Sequence, residues 1–352
     1  MKKQYTFGFG DYLTNCRDTT VTVENGKITQ ITVVFYDPAD LLSYNGVGGK
    51  NYASAEEYLS NVPAEERDVT EEQLRECELA VPGLLNGDIK ELTVHGGLFH
   101  LDDVLCAVLC RLNDPACRII RSNKPDLEAD GLGIWRAIAD VGGVYDPERW
   151  LFDHHQDRYT PDSDPKTVRA AVGRLWDALG DSDKYPTLSA YIHAVDLHDT
   201  GVLWTPLGVV GSFAPNWDDQ FSMDEGFEAA VKHVLNLVRQ IVRKDQSAAR
   251  AAEELDKAPV KDGIVTLDRF LPWQDWVRNH PEVKAVVSPG RESGEWNINI
   301  PKGRGMFPAD WLQPAATWPK GVTFVTNWLT MVVVNDREVI EDLVSQIQHD
   351  PV

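Results

Sequence analysis

The sequence predicts an α/β protein: a mainly parallel sheet flanked by helices, with a small β-rich extension before it and a smaller α/β lobe after it. Three observations carry this. From residue 91 onward, short apolar segments that read as strands alternate with segments of helical period, the pattern of a parallel sheet with crossover helices. Before residue 45, alternating segments flank Asn25-Gly26, a strong signal for a two-residue hairpin. After Pro259 the composition shifts to short β-branched runs rich in tryptophan.

Taken in order, residues 1–88 form the extension. TVTVENGKITQITVVFYDP supplies its strands; SAEEYL and TEEQLRECEL supply short helices, the second opened by a capping box between Thr70 and Gln73. Residues 89–222 form the central domain. ELTVH is a short buried strand, GGLFH a loop, and LDDVLCAVLCRL a helix with apolar positions at 104, 105, 108, 109 and 112. CRIIRS, IWRAIADVGG and RWLFD read as further strands, TVRAAVGRLWDAL and TLSAYIHAVDLH as helices. Residues 223–258 form a helical connector. In 259–352, GIVTLD, VKAVVS, EWNINI, VTFVT and LTMVVVN read as strands, whereas PWQDWVRNH, FPADWL and DREVIEDLVSQIQ read as helical.

Composition narrows the function. The chain of 352 residues carries 34 Lys+Arg against 55 Asp+Glu, a net charge of −21. A long nucleic-acid groove would leave a basic footprint, because phosphate contacts supply much of the affinity. If phosphates are handled here, divalent metals neutralise them locally and the substrate is short; the bland reading is an acidic, soluble surface. The five cysteines make no CxxC pair, and Cys106 and Cys110 fall in an apolar helical stretch as small buried thiols. With no membrane-length apolar run and no signal peptide in the N-terminal stretch, a reducing cytoplasm is the expected location. HExxH and GxSxG are absent, so the sequence offers no support for a protease or an esterase.

Histidine and aspartate then cluster in four places, each where a strand or helix ends: His95 to Asp103 in HGGLFHLDD, Asp140 before Gly142 and Gly143, Asp153-His154-His155, and Asp196 to Asp199 in DLHD. In open α/β sheets ligands bind at the carboxyl ends of the strands. The first three clusters therefore meet if their strands are neighbours. Mixed imidazole and carboxylate ligands suit Mn²⁺, Zn²⁺ or Fe²⁺, and bridging carboxylates favour a pair of ions. Glycines 96, 97, 142 and 143 allow close backbone approach. Singly, each cluster has a plainer reading: a loop histidine, a turn aspartate or a helix end. Asp103 is assigned to the helix N-terminus, and Asp157 and Asp162 to a solvated loop.

HGGLFHLDD, ADVGGVYDP, FDHHQ and AVDLHDTG, in that order, resemble the motif series of the Myg-type exonucleases, the melanocyte proliferating gene family once described as metal-dependent protein hydrolases. That family is placed in the DHH phosphoesterase superfamily. The likeness extends through LPWQDWV, SGEWNI, FPADWL and KGVTFVTNWLTMVVVNDRE, over roughly residues 90–345. It implies two lobes with a site between them and a phosphodiesterase using two divalent ions, Mn²⁺ foremost, with Mg²⁺, Zn²⁺ or Fe²⁺ as alternatives. By the same resemblance His95, His100 and Asp102 hold one or both ions, and Asp140 bridges them. His154 or His155 completes the second site, Asp153 supports it or binds directly, and Asp199 is the last ligand with Asp196 its acidic neighbour. The catalytic set is Asp140, His154 and His155.

In the second lobe Arg291, Ser293 and Gly294 are the expected phosphate grip, and Trp296 a platform for a base, packing being the plainer reading of the tryptophan. The chain departs from the family at Gly96, Asp103, Leu151 and Thr200, where asparagine, glutamate, a basic residue and asparagine are usual. None of these removes a proposed ligand.

The leading expectation is a 3′–5′ exonuclease on single-stranded RNA or short oligonucleotides. The alternatives are a phosphodiesterase or phosphatase on cyclic or small nucleotides, and a metal- or nucleotide-binding regulator without turnover. Association into a homo-oligomer stays open.

Overall fold

The computed structural model describes residues 2–8, 17–36, 46–203, 213–216, 218, 220–312 and 318–348. It divides into two compact units, Met1–Val242 and Arg243–Val352.

The first unit opens with strands β1 (Lys2–Phe7), β2 (Arg17–Glu24), β3 (Lys27–Tyr36) and β4 (Gly46–Tyr52), paired antiparallel in that order. Asn25 (φ 52°) and Gly26 (φ 76°) form the two-residue turn between Glu24 and Lys27, both in the left-handed region that such hairpins require. Helices α1 (Ala55–Asn61) and α2 (Glu71–Leu79) cover one face of this sheet, where Tyr5, Val21, Ile31, Tyr58 and Leu74 share a core. The capping box expected at α2 is present: Gln73 N–H donates to Thr70 Oγ1, and Thr70 N–H donates to Gln73 Oε1.

The second sheet is the one that matters for chemistry. Strand β5 (Glu91–Val94) leads into α3 (Leu101–Asn113). Then follow β6 (Arg118–Arg121), β7 (Arg136–Ala139), β8 (Tyr145–Asp146), β9 (Leu151–Phe152), α4 (Ala171–Leu179) and α5 (Pro186–Asp199). The spatial order is β6-β5-β7-β9-β8, with β6, β5, β7 and β9 parallel and β8 antiparallel at the edge. Helix α3 is apolar nearly all round and almost wholly buried, as a helix at the centre of a core must be. Cys106 and Cys110 lie inside it as buried free thiols, with Cys77 and Cys117 also free and buried; Cys16 lies outside the described residues.

Helix α6 (Met223–Leu255) spans the boundary between the units. Phe227, Ala230, Val231, Val234, Leu235, Val238 and Val242 form a stripe at helical spacing that is buried with α3 and α4. The expected connector is thus also a wall of the first core. No described helix is long and apolar enough to cross a membrane.

The second unit is a six-stranded sheet built from β10 (Val260–Lys261), β11 (Ile264–Thr266), β12 (Ala285–Pro289), β13 (Trp296–Asn299), β14 (Val322–Val325) and β15 (Met331–Val334). Its order is β10-β11-β12-β13-β15-β14, antiparallel except between β11 and β12, and α7 (Ile340–Ser345) packs on it. Two helical expectations need correction. PWQDWVRNH and FPADWL each shrink to one 3₁₀ turn, Trp276–Asn279 and Ala309–Leu312. Trp273 and Trp276 are buried together in the core, and Pro281 lies just beyond the first turn, where it discourages helical continuation.

Candidate metal centre

The carboxyl ends of β5, β7 and β9 lie side by side, so His95, Asp140 and the 153–155 turn are brought to one edge as the strand reading expected. Helices α3 and α5 add carboxylates from beneath and beside that edge.

Three sets of side chains there each place one donor atom apiece within 4.8 Å of one another: His95, Asp103 and Asp140; Asp140, His154 and His155; and Asp102, His154 and Asp199. Asp140 belongs to the first two and His154 to the last two. His95 Nε2 stands 2.9 Å from Asp103 Oδ2 and 3.3 Å from Asp140 Oδ2. His154 Nε2 stands 3.3 Å from Asp140 Oδ1, 3.3 Å from Asp199 Oδ2 and 3.8 Å from Asp102 Oδ2. Asp140 Oδ1, Asp103 Oδ2 and His154 Nε2 are buried yet none has a partner in hydrogen-bonding geometry. Buried polar atoms are seldom left so, and a divalent cation is the partner their chemistry fits. Asp140 is held at φ 58°, a left-handed conformation that aspartate tolerates better than most residues.

The electrostatics point the same way. Burial, then the neighbouring Asp140 and Asp199 charges, push the Asp102 carboxyl well above its usual range. Burial also raises Asp103, against the pull of His95. Burial alone would depress the imidazoles, but Asp103 and then Asp140 lift His95 to about 9, and Asp140, Asp199 and Asp102 lift His154 to about 10. The raised imidazoles reflect the crowded negative charge around them, which bound cations would neutralise in place of protons.

Asp153 is placed as a support. Its Oδ1 accepts from His155 N–H (3.0 Å) and faces His155 Nδ1 at 2.8 Å, while Oδ2 accepts from Gly143 N–H at 2.5 Å. Burial opposes ionisation, but those two backbone donors and the imidazole hold the carboxyl below its usual range. His155 Nδ1 lies between Asp153 Oδ1 and Asp140 Oδ1, the latter at 3.6 Å, so the Asp153 carboxylate fixes the orientation of the ring beside the centre.

The doubled aspartate after His100 divides its work differently from the sequence expectation. Asp103 does cap α3, its Oδ1 accepting from His100 N–H at 3.0 Å, but its other oxygen faces His95 in the centre. Asp102 is buried against the start of α4, accepting from Ala171 N–H (3.0 Å) and Val172 N–H (2.7 Å), while keeping one oxygen near His154. Asp196 joins it there, accepting from Ala170 N–H at 3.0 Å. Ala170 has no side chain to cap with, so two carboxylates from other helices serve that N-terminus. Burial raises Asp196 to about 7. His100 sits exposed at the rim, its ring 5.8 Å from that of His95, outside the three sets.

Several participants were not singled out in the sequence. Arg174, 6% exposed within α4, donates from Nη1 to the Asp153 carbonyl (2.5 Å) and from Nη2 to Asp157, and its guanidinium lies 4.5 Å from the centre of the Tyr145 ring. Asp157 is thus exposed on its loop, as expected, and also tied to α4. The sign was available: an arginine interrupts the run AVGRLW of a mostly apolar helix. At Gly96, where the resemblance leads one to expect asparagine, Gly96 N–H donates to Asn123 Oδ1 at 3.0 Å, so an asparagine side chain arrives from the end of β6 instead.

In the second unit, Arg291, Ser293 and Gly294 (φ 87°) lie exposed in the loop joining β12 to β13. Trp296 is half-buried on β13, with the Arg337 guanidinium 4.7 Å from its ring centre. That stacking favours the packing reading for Trp296.

Residues 91–182 match the family described as "Uncharacterised protein family (UPF0160)", MYG1_exonuc. Among curated proteins, the chain is 26% identical over 202 residues to the MYG1 protein of Chlamydia pneumoniae, an alignment covering 53% of this chain and 66% of that one. It is 27% identical over 185 residues to the human MYG1 exonuclease, covering 42% and 47%. It is 24% identical over 268 residues to the MYG1 protein YER156C of Saccharomyces cerevisiae, covering 60% and 77%. The chain thus spans between about half and two thirds of the length of the first two. The stretch that matches the family model contains the His95–Asp103, Asp140 and Asp153–His155 clusters, so the similarity to Myg-type proteins falls on the candidate metal centre.

Proposed function

We propose that this chain is a metal-dependent phosphodiesterase of the DHH type, acting as a 3′–5′ exonuclease on single-stranded RNA or short oligonucleotides. The observation that carries the reading is the sharing of ligands: Asp140 sits between His95–Asp103 on one side and His154–His155 on the other, the arrangement two cations would need. The names of the mammalian relatives, MYG1 exonuclease, support the reaction class.

His95, Asp103 and Asp140 would hold one ion, with Asp140, His154, His155 and Asp199 around the other, and Asp102 beside them. Histidine with carboxylate favours Mn²⁺, with Mg²⁺, Zn²⁺ or Fe²⁺ as alternatives. Bound ions supply a nucleophile from water at neutral pH and neutralise charge on the scissile phosphate. The protein's part is to hold its donors rigidly. Asp153 orients His155, Arg174 pins the turn that carries both, and α4 anchors Asp102. The exposed Arg291 loop is suited to meet an anionic ligand through its guanidinium and glycine-freed backbone. The net charge of −21 favours short substrates over long ones. Four buried free thiols fit a reducing compartment, and we place the protein in the cytoplasm.

The test pairs elemental analysis of the purified protein with Mn²⁺-dependent cleavage of 5′-labelled RNA, a 5-mer and a 24-mer, using Asp140→Ala as control. A ladder shortening from the 3′ end and lost in the variant is the expected result. Bound metal with neither RNA cut would redirect the reading to small phosphoesters, and absence of metal under saturating Mn²⁺ would end it.

A further inference from the structure

The edge of the sheet carrying the metal centre opens into a cavity of about 700 Å³, with Asp140, His154 and Asp199 on its floor and Arg158, Tyr159 and Thr160 on its wall. The charges of this cavity do not balance for an anionic substrate. Asp140, Asp157 and Asp199 line it and Asp102, Asp103 and Asp153 lie behind them, six carboxylates against the four positive charges that two divalent ions would bring. A phosphate entering there needs a further fixed cation. Among the described lining residues Arg158 is the one side chain that always carries one.

Arg158 is also free to use it. The carboxylate beside it in sequence, Asp157, is already taken by Arg174 Nη2 and by Tyr159 Oη, which donates to it at 2.9 Å. Arg158 is exposed and makes no hydrogen bond or ion pair to any described residue. The bond to Asp157 also anchors the Tyr159 side chain, leaving a half-buried ring on the cavity wall. A guanidinium next to a fixed aromatic face is a suitable pair for one nucleotide: bidentate contact for the phosphate and stacking for the base.

We propose that Arg158 binds the phosphate of the nucleotide substrate and that Tyr159 supports its base, within the first unit and independently of the Arg291 loop. The inference rests on the phosphodiesterase reading for its substrate class, but its test does not depend on turnover. The Mn²⁺-loaded full chain is titrated by calorimetry with AMP and, separately, with inorganic phosphate. Arg158→Ala weakens both ligands on the order of 10- to 100-fold, with metal content by elemental analysis unchanged, and Arg158→Lys recovers part of the loss. Tyr159→Ala weakens AMP but not phosphate.

Equal affinity in wild type and Arg158→Ala, or no AMP binding by the loaded wild type, overturns the proposal. Oligonucleotide cleavage is then scored apart. Arg158-dependent AMP binding without cleavage of any oligonucleotide sinks the exonuclease reading and leaves the site standing. Cleavage with unchanged KM in Arg158→Ala sinks the site and leaves the exonuclease reading standing.

Discussion

The two places that chemistry singles out in this chain are built in opposite ways. The metal centre gathers residues 95, 103, 140, 154, 155 and 199 from three strand ends and two helices, buries Asp103, Asp140 and His154, and leaves an atom of each of these three without a hydrogen-bond partner. The Arg291 loop is a single hairpin connection of six residues, 290–295, with its functional groups close in sequence. The difference follows from what each would bind. A cation must be stripped of water and surrounded, so its ligands must converge and be dry. A phosphate can be met by one guanidinium and a few backbone N–H groups at a surface. Damage should therefore spread at the first region and stay local at the second.

The largest effect is expected at Asp140, which serves two ligand sets. Asp140→Ala should lower Mn²⁺ affinity by more than the roughly 10- to 100-fold that loss of a supporting partner costs, read by metal titration with elemental analysis. Asn tolerates the left-handed backbone at this position, so Asp140→Asn should lose metal similarly with a smaller change in stability. Retention of full metal content by both variants would break the comparison at its root.

Next comes Asp153. Asp153→Asn removes the charge that orients His155 and should weaken metal binding by about 10- to 100-fold while the fold persists, again by titration, with circular dichroism as the fold control. Wild-type affinity in this variant would mean that His155 needs no orienting carboxylate.

Gly173 tests the packing beneath the centre. A Cβ there would lie 2.3 Å from both carboxylate oxygens of Asp196, which has moved into the space a side chain would fill. Gly173→Ala should cost about 1–3 kcal/mol in denaturant unfolding by overpacking. A neutral result would show that Asp196 can swing aside without loss.

Arg291→Ala should be the mildest. Metal content should not move, and stability should stay within about ±0.5 kcal/mol, as for an exposed side chain without packing partners. Only KM for a phosphate-bearing substrate should rise. A drop in metal content would show that the two regions are not independent.

Much of this was legible in the chain. Alternation of apolar and helical segments specified a parallel sheet, and clusters at the ends of ELTV, RAIA and LF could meet only if those strands were neighbours, which they are. The turn at Asn25-Gly26 and the box at Thr70 were readable because their chemistry is local. The helical readings of PWQDWVRNH and FPADWL failed because tryptophan burial, a tertiary demand, was met by one 3₁₀ turn.

By itself, then, the sequence determined which elements form, which residue types collect at their ends, and the metal-like character of the collection. Those depend on periodicity and turn chemistry, which act over a few residues. Only the tertiary structure decided how Asp102 and Asp103 divide their work. Neighbours on a helix point about 100° apart, and which of the two meets α4 and which meets His95 depends on where those partners pack. The same holds for Asp153 as a support, for Arg174 beneath the turn, and for the freedom of Arg158. Each is a property of a contact between residues distant in sequence, and local pattern carries no record of it.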